Sequence, residues 1–261
     1  MRQISTGFVS AVLTVALMCS WVSGDAAHAA DAPLTIAAAS DLNFAFKEII
    51  ALYERQSGEH VALTLGSSGN FYAQIGNGAP FDLYFSADIG YPKRLEEAGL
   101  TVPGSLYRYA VGRIVLWTSK QAPWDVSMGL DVLRDPRIKK IAIANPKHAP
   151  YGRAAVAAME TAGVAETVRE KLVLGENISQ AAQFVESGAA DIGIIALSLA
   201  PAMQAQGTSW TIPAELHAPL EQGAAIVAQS KKQDAAKKFL MFLQSAAGQE
   251  VMARYGFTQP R

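Results

Sequence analysis

Ser40 and Ser68 each stand where a short apolar run stops and a helical pattern starts. Leu34 to Ala39 leads into Ser40, and Val61 to Leu65 leads into Gly66-Ser67-Ser68-Gly69-Asn70. A serine at such a junction can cap the helix with its own oxygen. Its hydroxyl, and the unpaired backbone N–H groups behind it, can equally face a bound anion. Two further junctions carry neutral donors in the same way: Asn145-Pro146-Lys147-His148-Ala149-Pro150-Tyr151-Gly152, and Gly175-Glu176-Asn177-Ile178-Ser179-Gln180. Taken singly, Ser40 reads first as an N-cap, Ser67 and Ser68 as a polar loop, and Asn177 as a cap that leaves Ile178 to offer its N–H. Tyr151, held between Pro150 and Gly152, needs a packing partner or a hydrogen-bonded hydroxyl. Taken together, the four describe a site for a small anion bound without an opposing cation. A helix N-terminus contributes only about 0.3–1 kcal/mol electrostatically, whereas a hydrogen bond to a charged group is worth about 1.5–3 kcal/mol. The number of donors therefore decides affinity.

Other chemistries find less support. A nucleophile elbow would read G-x-S-x-G, and Gly66-Ser67-Ser68-Gly69-Asn70 departs from it at the last position. His60, His148 and His217 form no recognisable motif with a carboxylate, so a serine hydrolase using Ser68 stays a distant alternative. There is no H-x-x-H, H-E-x-x-H or EF-hand pattern, and Asp82 and Asp88 read as turn and capping residues, so no protein-ligated metal is expected. Phosphate-loop and dinucleotide fingerprints are missing too, and no cofactor is expected.

The elements that must position these residues alternate short apolar strands with amphipathic helices, the pattern of parallel α/β units. Strands are expected over 34–39, 61–65, 83–85, 141–144, 171–174 and 192–196, and helices over 42–56, 71–75, 91–98, 152–162, 179–187, 234–244 and 248–255. Residues 107–118 read as one long strand, and residues 224–228 as another. The block between them restarts the α/β alternation, which suggests an inserted lobe. The expected organisation is one lobe of residues 30–108 and 217–261 and a second of 109–216, hinged halves with the four junctions facing each other across the cleft.

The chain's 261 residues carry 22 Lys and Arg against 23 Asp and Glu, a balance that argues against a nucleic-acid partner. Arg2, the apolar stretch from Phe8 to Val22 and Ala27-His28-Ala29 read as a secretory signal of residues 1–29, cleaved near Ala29. The only cysteine, Cys19, falls inside it, so the exported protein would carry no thiol. The expected product is a soluble monomer, most simply in a bacterial periplasm.

Several segments resemble the periplasmic molybdate-binding proteins of ABC-type importers. They are Ala37-Ala38-Ala39-Ser40-Asp41-Leu42, Gly66-Ser67-Ser68-Gly69 and the run from Gly78 to Asp88. The likeness continues through Asn145 to Gly152, Ala189 to Ala196 and the closing Arg254-Tyr255-Gly256-Phe257. It implies a type II periplasmic binding fold, two α/β lobes joined by two crossover segments with the ligand cleft between them. It also implies a non-enzymatic receptor that holds molybdate or tungstate and delivers it to a membrane permease. Carried across by position, Ser40 and Ser68 look like hydroxyl donors and Ile178 like a backbone donor. Tyr151 occupies a position where some members offer only an N–H and others a tyrosine, and its phenol is expected to reach the anion. The same donors would fit sulfate or another tetrahedral oxyanion, which stays the nearer alternative.

Overall fold

The computed structural model describes residues 32–260. The expected signal segment and Cys19 lie outside the described residues. In chain order the strands are β1 (Leu34–Ala39), β2 (Val61–Gly66), β3 (Leu83–Ser86), β4 (Tyr107–Gly112), β5 (Ile114–Ser119), β6 (Ile141–Ala144), β7 (Leu172–Gly175), β8 (Ile192–Ala196), β9 (Gly207–Thr211) and β10 (Leu220–Ile226). The helices are α1 (Asn43–Ser57), α2 (Ser68–Gly76), α3 (Gly90–Glu97), α4 (Pro150–Thr161), α5 (Ala165–Val168), α6 (Ile178–Glu186), α7 (Gln233–Gln244) and α8 (Ala246–Arg254).

The strands form two five-stranded sheets, ordered β2-β1-β3-β10-β4 and β7-β6-β8-β5-β9. Within the first, β1 runs parallel to β2 and β3, while β10 pairs antiparallel with β3 and β4. The second repeats the scheme, with β6 parallel to β7 and β8, and β5 antiparallel to β8 and β9. Each sheet thus has a parallel core of three strands and an antiparallel strand inserted beside it. The parallel strands are near-continuously apolar because helices cover both faces: β1, β3, β6 and β8 are buried along almost their whole length.

The stretch read as one strand over 107–118 is divided. Tyr107–Gly112 pairs with β10 in the first sheet, and Ile114–Ser119 pairs with β8 and β9 in the second. Arg113, between them, is the place where the chain changes sheet, so the segment through Gly112 pairs within the first sheet. The apolar pattern could not reveal this, because both halves are buried strands and only their hydrogen-bond partners differ. The return passes through Ala214–Leu216 into β10, which starts at Leu220 and so precedes the expected 224–228. β9 has no counterpart in the sequence reading; its burial alternates weakly around exposed Thr208 and Ser209 at a sheet edge.

α1 packs Phe46 and Ile49 onto the first sheet, where Phe46, Phe85 and Phe239 meet edge-on at ring-centroid distances of 4.8–6.1 Å. Tyr53 adds a fourth ring, 5.1 Å from Phe239. These aromatic contacts bring α7, the helix before the last, onto the lobe begun by β1. α1 ends at Gly58, whose φ of 72° is a left-handed cap that suits glycine. Among the described residues no helix is long and apolar enough to cross a membrane.

Phe239 is fully buried in this cluster. Phe239→Ala should therefore cost about 3–5 kcal/mol of unfolding free energy, read as a lowered urea midpoint. An unchanged midpoint would mean that α7 does not depend on the cluster.

Candidate functional site

In both sheets the parallel strands end at the cleft, and each end opens a helix or turn. β1 passes into a 3-10 turn, Ser40–Leu42, β2 into α2, and β3 into Ser86-Ala87-Asp88. From the other lobe β6 passes into the turn before α4, and β7 into α6. Ser40, Ser68, Tyr151 and Ile178 come together around one small cavity with Ala39, Asp41, Gly66, Ser67, Ala87, Ala149 and Pro150. No Lys, Arg or His is among these residues. The cavity volume is about 10 Å³, roughly what one water needs.

The serines differ from their simplest reading as caps. Ala39, not Ser40, holds the cap position of its turn, and no side chain caps there. The Ser40 hydroxyl reaches the other lobe: it donates to Asn177 Oδ1 at 3.0 Å and accepts from the Ser179 N–H at 3.2 Å. The Ser179 hydroxyl in turn donates to the Ser40 carbonyl at 2.8 Å. α2 is capped by Ser67, whose Oγ accepts from the Asn70 N–H at 3.4 Å, so the helix begins at Ser68 rather than at the expected Phe71. Ser68 Oγ accepts from the Ala87 N–H at 2.9 Å. That leaves its own proton free to donate, since a hydroxyl carries one donor and two acceptor sites.

From the second lobe Asn177 caps α6, accepting from the Gln180 N–H at 3.1 Å, and Ile178 is the first helical residue, with no intrahelical acceptor for its N–H. Tyr151 lies inside the first turn of α4, after Pro150 at its first position, rather than in a loop. Its backbone N–H is one of the unpaired donors of that turn. Its phenol is engaged by hydrogen bonds to Asp41 and Gln222. The hydroxyl donates to Asp41 Oδ2 at 3.0 Å and accepts from Gln222 Nε2 at 2.9 Å, while Gln222 Nε2 also donates to Asp41 Oδ2 at 2.7 Å. Gly112 makes room for this cluster, since a Cβ there would sit 2.2 Å from the Tyr151 hydroxyl.

Burial pushes the Asp41 carboxyl up to about 7, against the lowering pull of the Gln222 and Tyr151 hydrogen bonds. The Tyr151 hydroxyl is held well above its ordinary value, first by burial and then by the Asp41 charge. Sequence reasoning passed over Asp41 and Gln222. Each had a signal: an acid set between Ala39 and Leu42, and an amide inside the apolar run of β10. It also passed over the Ala87 N–H, which no side-chain type announces.

Further bonds tie the lobes across the cleft. The Gly69 N–H donates to the His148 carbonyl at 2.9 Å, and His148 Nδ1 meets Ser67 Oγ at 2.9 Å. The Ser198 hydroxyl donates to the Asp41 carbonyl at 2.7 Å. Arg153 pairs with Asp88 at 2.6 Å at the rim of a wider opening of about 450 Å³. That pair is partly exposed, so it adds little to closure.

Residues 34–258 match the family described as bacterial extracellular solute-binding protein. The chain is 38% identical to the molybdate-binding protein ModA of Rhodobacter capsulatus, over 97% of this chain and 98% of that one. It is 39% identical to ModA of Azotobacter vinelandii, over 89% and 91%. The solved periplasmic molybdate-binding protein of Azotobacter vinelandii superposes with a TM-score of 0.82 at 31% identity, covering 87% of this chain and all of that one. The fold is that of the type II periplasmic binding proteins. With that architecture and this identity along nearly its whole length, the chain belongs to the bacterial extracellular solute-binding proteins, in the group of the ModA-type molybdate-binding proteins.

Proposed function

We propose that the chain is a periplasmic receptor that captures molybdate, and tungstate with it, and hands it to the membrane permease of an ABC importer. The observation that carries this reading is the cavity itself, where neutral donors from both lobes converge and no cationic side chain is present. Ser40 and Ser68 supply hydroxyls, and Tyr151 and Ile178 supply backbone N–H groups. On binding, the Ser40 hydroxyl turns from Asn177 to the anion, while Ser179 goes on donating to its oxygen. The metal is held as its oxyanion, through hydrogen bonds to oxygen, with no protein atom ligating molybdenum.

The relatives' names and the likeness of sequence support molybdate over other tetrahedral anions, and the chain acts as a receptor, not an enzyme. A hydrolase is not favoured, because His148 is engaged by Ser67 rather than by Ser68. The lobes work as hinged halves, the expected 30–108 with 217–261 against 109–216, and the pairing of Tyr107–Gly112 with β10 supports drawing the first boundary at Arg113 instead. The receptor acts as a monomer without nucleic acid, after removal of residues 1–29.

Calorimetric titration with molybdate, tungstate and sulfate tests the reading. Saturable one-to-one binding of the first two, with sulfate much weaker, is expected. No molybdate binding sinks the reading, and equal sulfate affinity replaces it with a general oxyanion receptor.

Two serine variants separate ligand contact from capping. Ser68→Ala should weaken molybdate binding by about 1.5–3 kcal/mol, and it should also cost about 1–3 kcal/mol of stability because the buried Ala87 N–H loses its acceptor. Ser67→Ala should cost about 1 kcal/mol of stability as a lost cap with a smaller effect on affinity. Thermal melts and titrations of both report the outcome, and a reversed order of affinities would exchange their roles.

A further inference from the structure

Among the described residues, Asp41 is a fully buried carboxyl that forms no ion pair. It stands beside Ser40 among the residues around the anion cavity. The groups that face it are the Tyr151 phenol from α4, the Gln222 amide from β10, the Tyr109 phenol from β4 and Asp41's own backbone N–H, while the Ser198 hydroxyl from the turn after β8 bonds its main-chain carbonyl. None is a cation. Both side-chain donors converge on Oδ2, and Oδ1 is buried without a partner. An ionised carboxyl would thus sit in a low-dielectric cleft with one bare oxygen, next to a site built for a dianion.

The closed cavity has room for little more than a water, so a tetrahedral oxyanion reaches it only when the lobes part. Parting them separates Tyr151 from Asp41, because the two stand on opposite lobes, and opens the carboxyl to water. An exposed aspartate ionises at about its ordinary value of 3.9. Closing over a dianion returns it to the cation-free interior beside further negative charge.

We propose that Asp41 is a positioning residue of the anion site that enters the closed, loaded form as the neutral acid, taking a proton from solvent onto Oδ1, so that capture of an oxyanion takes up a proton. The neutral acid still accepts from Tyr151 and Gln222 at Oδ2, so the tie between the lobes survives while the like charge is removed. This inference rests on the oxyanion reading above. Even without a dianion, burial pushes this carboxyl up to about 7, and a dianion acts in the same direction. The sign follows: a group that binds its proton more tightly in the loaded form strengthens binding at low pH. Affinity therefore falls as pH rises from about 5 to 7, approaching tenfold per unit.

The test is calorimetric titration of the full chain with molybdate between about pH 5 and 8, in paired buffers of different ionisation heat. The wild type should take up close to one proton per molybdate near the middle of the range, with the stated fall in affinity. Asp41→Asn should bind with no such uptake and with an affinity nearly flat in pH, and its curve also subtracts any protonation of the ligand itself. His148 is another titratable group in the cleft, and His148→Gln should keep the uptake. Molybdate binding without uptake in the wild type overturns the proposal, as does uptake that persists in Asp41→Asn or vanishes in His148→Gln. If Asp41→Asn does not fold, the wild-type curve and His148→Gln decide. A wild type that binds no molybdate at all fails differently, by removing the functional reading on which the proposal stands.

Discussion

Backbone N–H groups at the start of a helix have no carbonyl behind them, and this deficit is what the rest of the molecule is arranged around. A parallel strand must hand its chain to a helix, so every parallel strand end creates such donors at a fixed edge of the sheet. Two sheets of the same strand order place those edges opposite one another. The resulting cavity is rich in hydrogen-bond donors without one charged donor among its lining residues. Neutral donors suit a receptor that must also release its ligand, because each bond is worth a few kcal/mol at most and none is a buried ion pair whose breaking would strand a charge.

Closure is built from the same residues as the site. Ser40 and Ser179 bond each other across the cleft, Ser67 and Gly69 meet His148, and Asp41 gathers Tyr151 and Gln222. Tyr151 shows how one residue serves both ends: it stands at the cavity, and its phenol lies against Gly112 at the point where the chain changes sheet. The candidate site and the crossover between sheets are thereby in contact through a single side chain. Any motion that carries α4 away from the first lobe must break these bonds and wet Asp41 in the same step.

Much of this was available from the sequence, because it is written in short-range patterns. Apolar runs are continuous in β6 and β8 and broken only at Thr35 in β1, as parallel strands covered on both faces require, and their bounds match the expected ones. Serines and an asparagine at the strand ends mark the junctions, and the segments resembling molybdate-binding proteins point to the same four residues. Helix starts were read less well. α2 and α4 begin earlier than their apolar positions suggest, because Ser67 and Pro150 set the first turn through capping and a fixed φ rather than through hydrophobicity.

What only the tertiary structure decided is where each polar atom spends its hydrogen bonds. Residues 107–118 look alike along their length, and their division at Arg113 depends on which strands lie beside each half. Ser67 and Ser68 are neighbours of one type, and only the positions of Asn70, His148 and Ala87 make one the cap and leave the other a free proton. The Tyr151 phenol goes to Asp41 and Gln222, residues 110 and 71 positions away in the chain. Residue type states that a hydroxyl can donate and accept. Its partner is set by long-range packing, which no local pattern encodes.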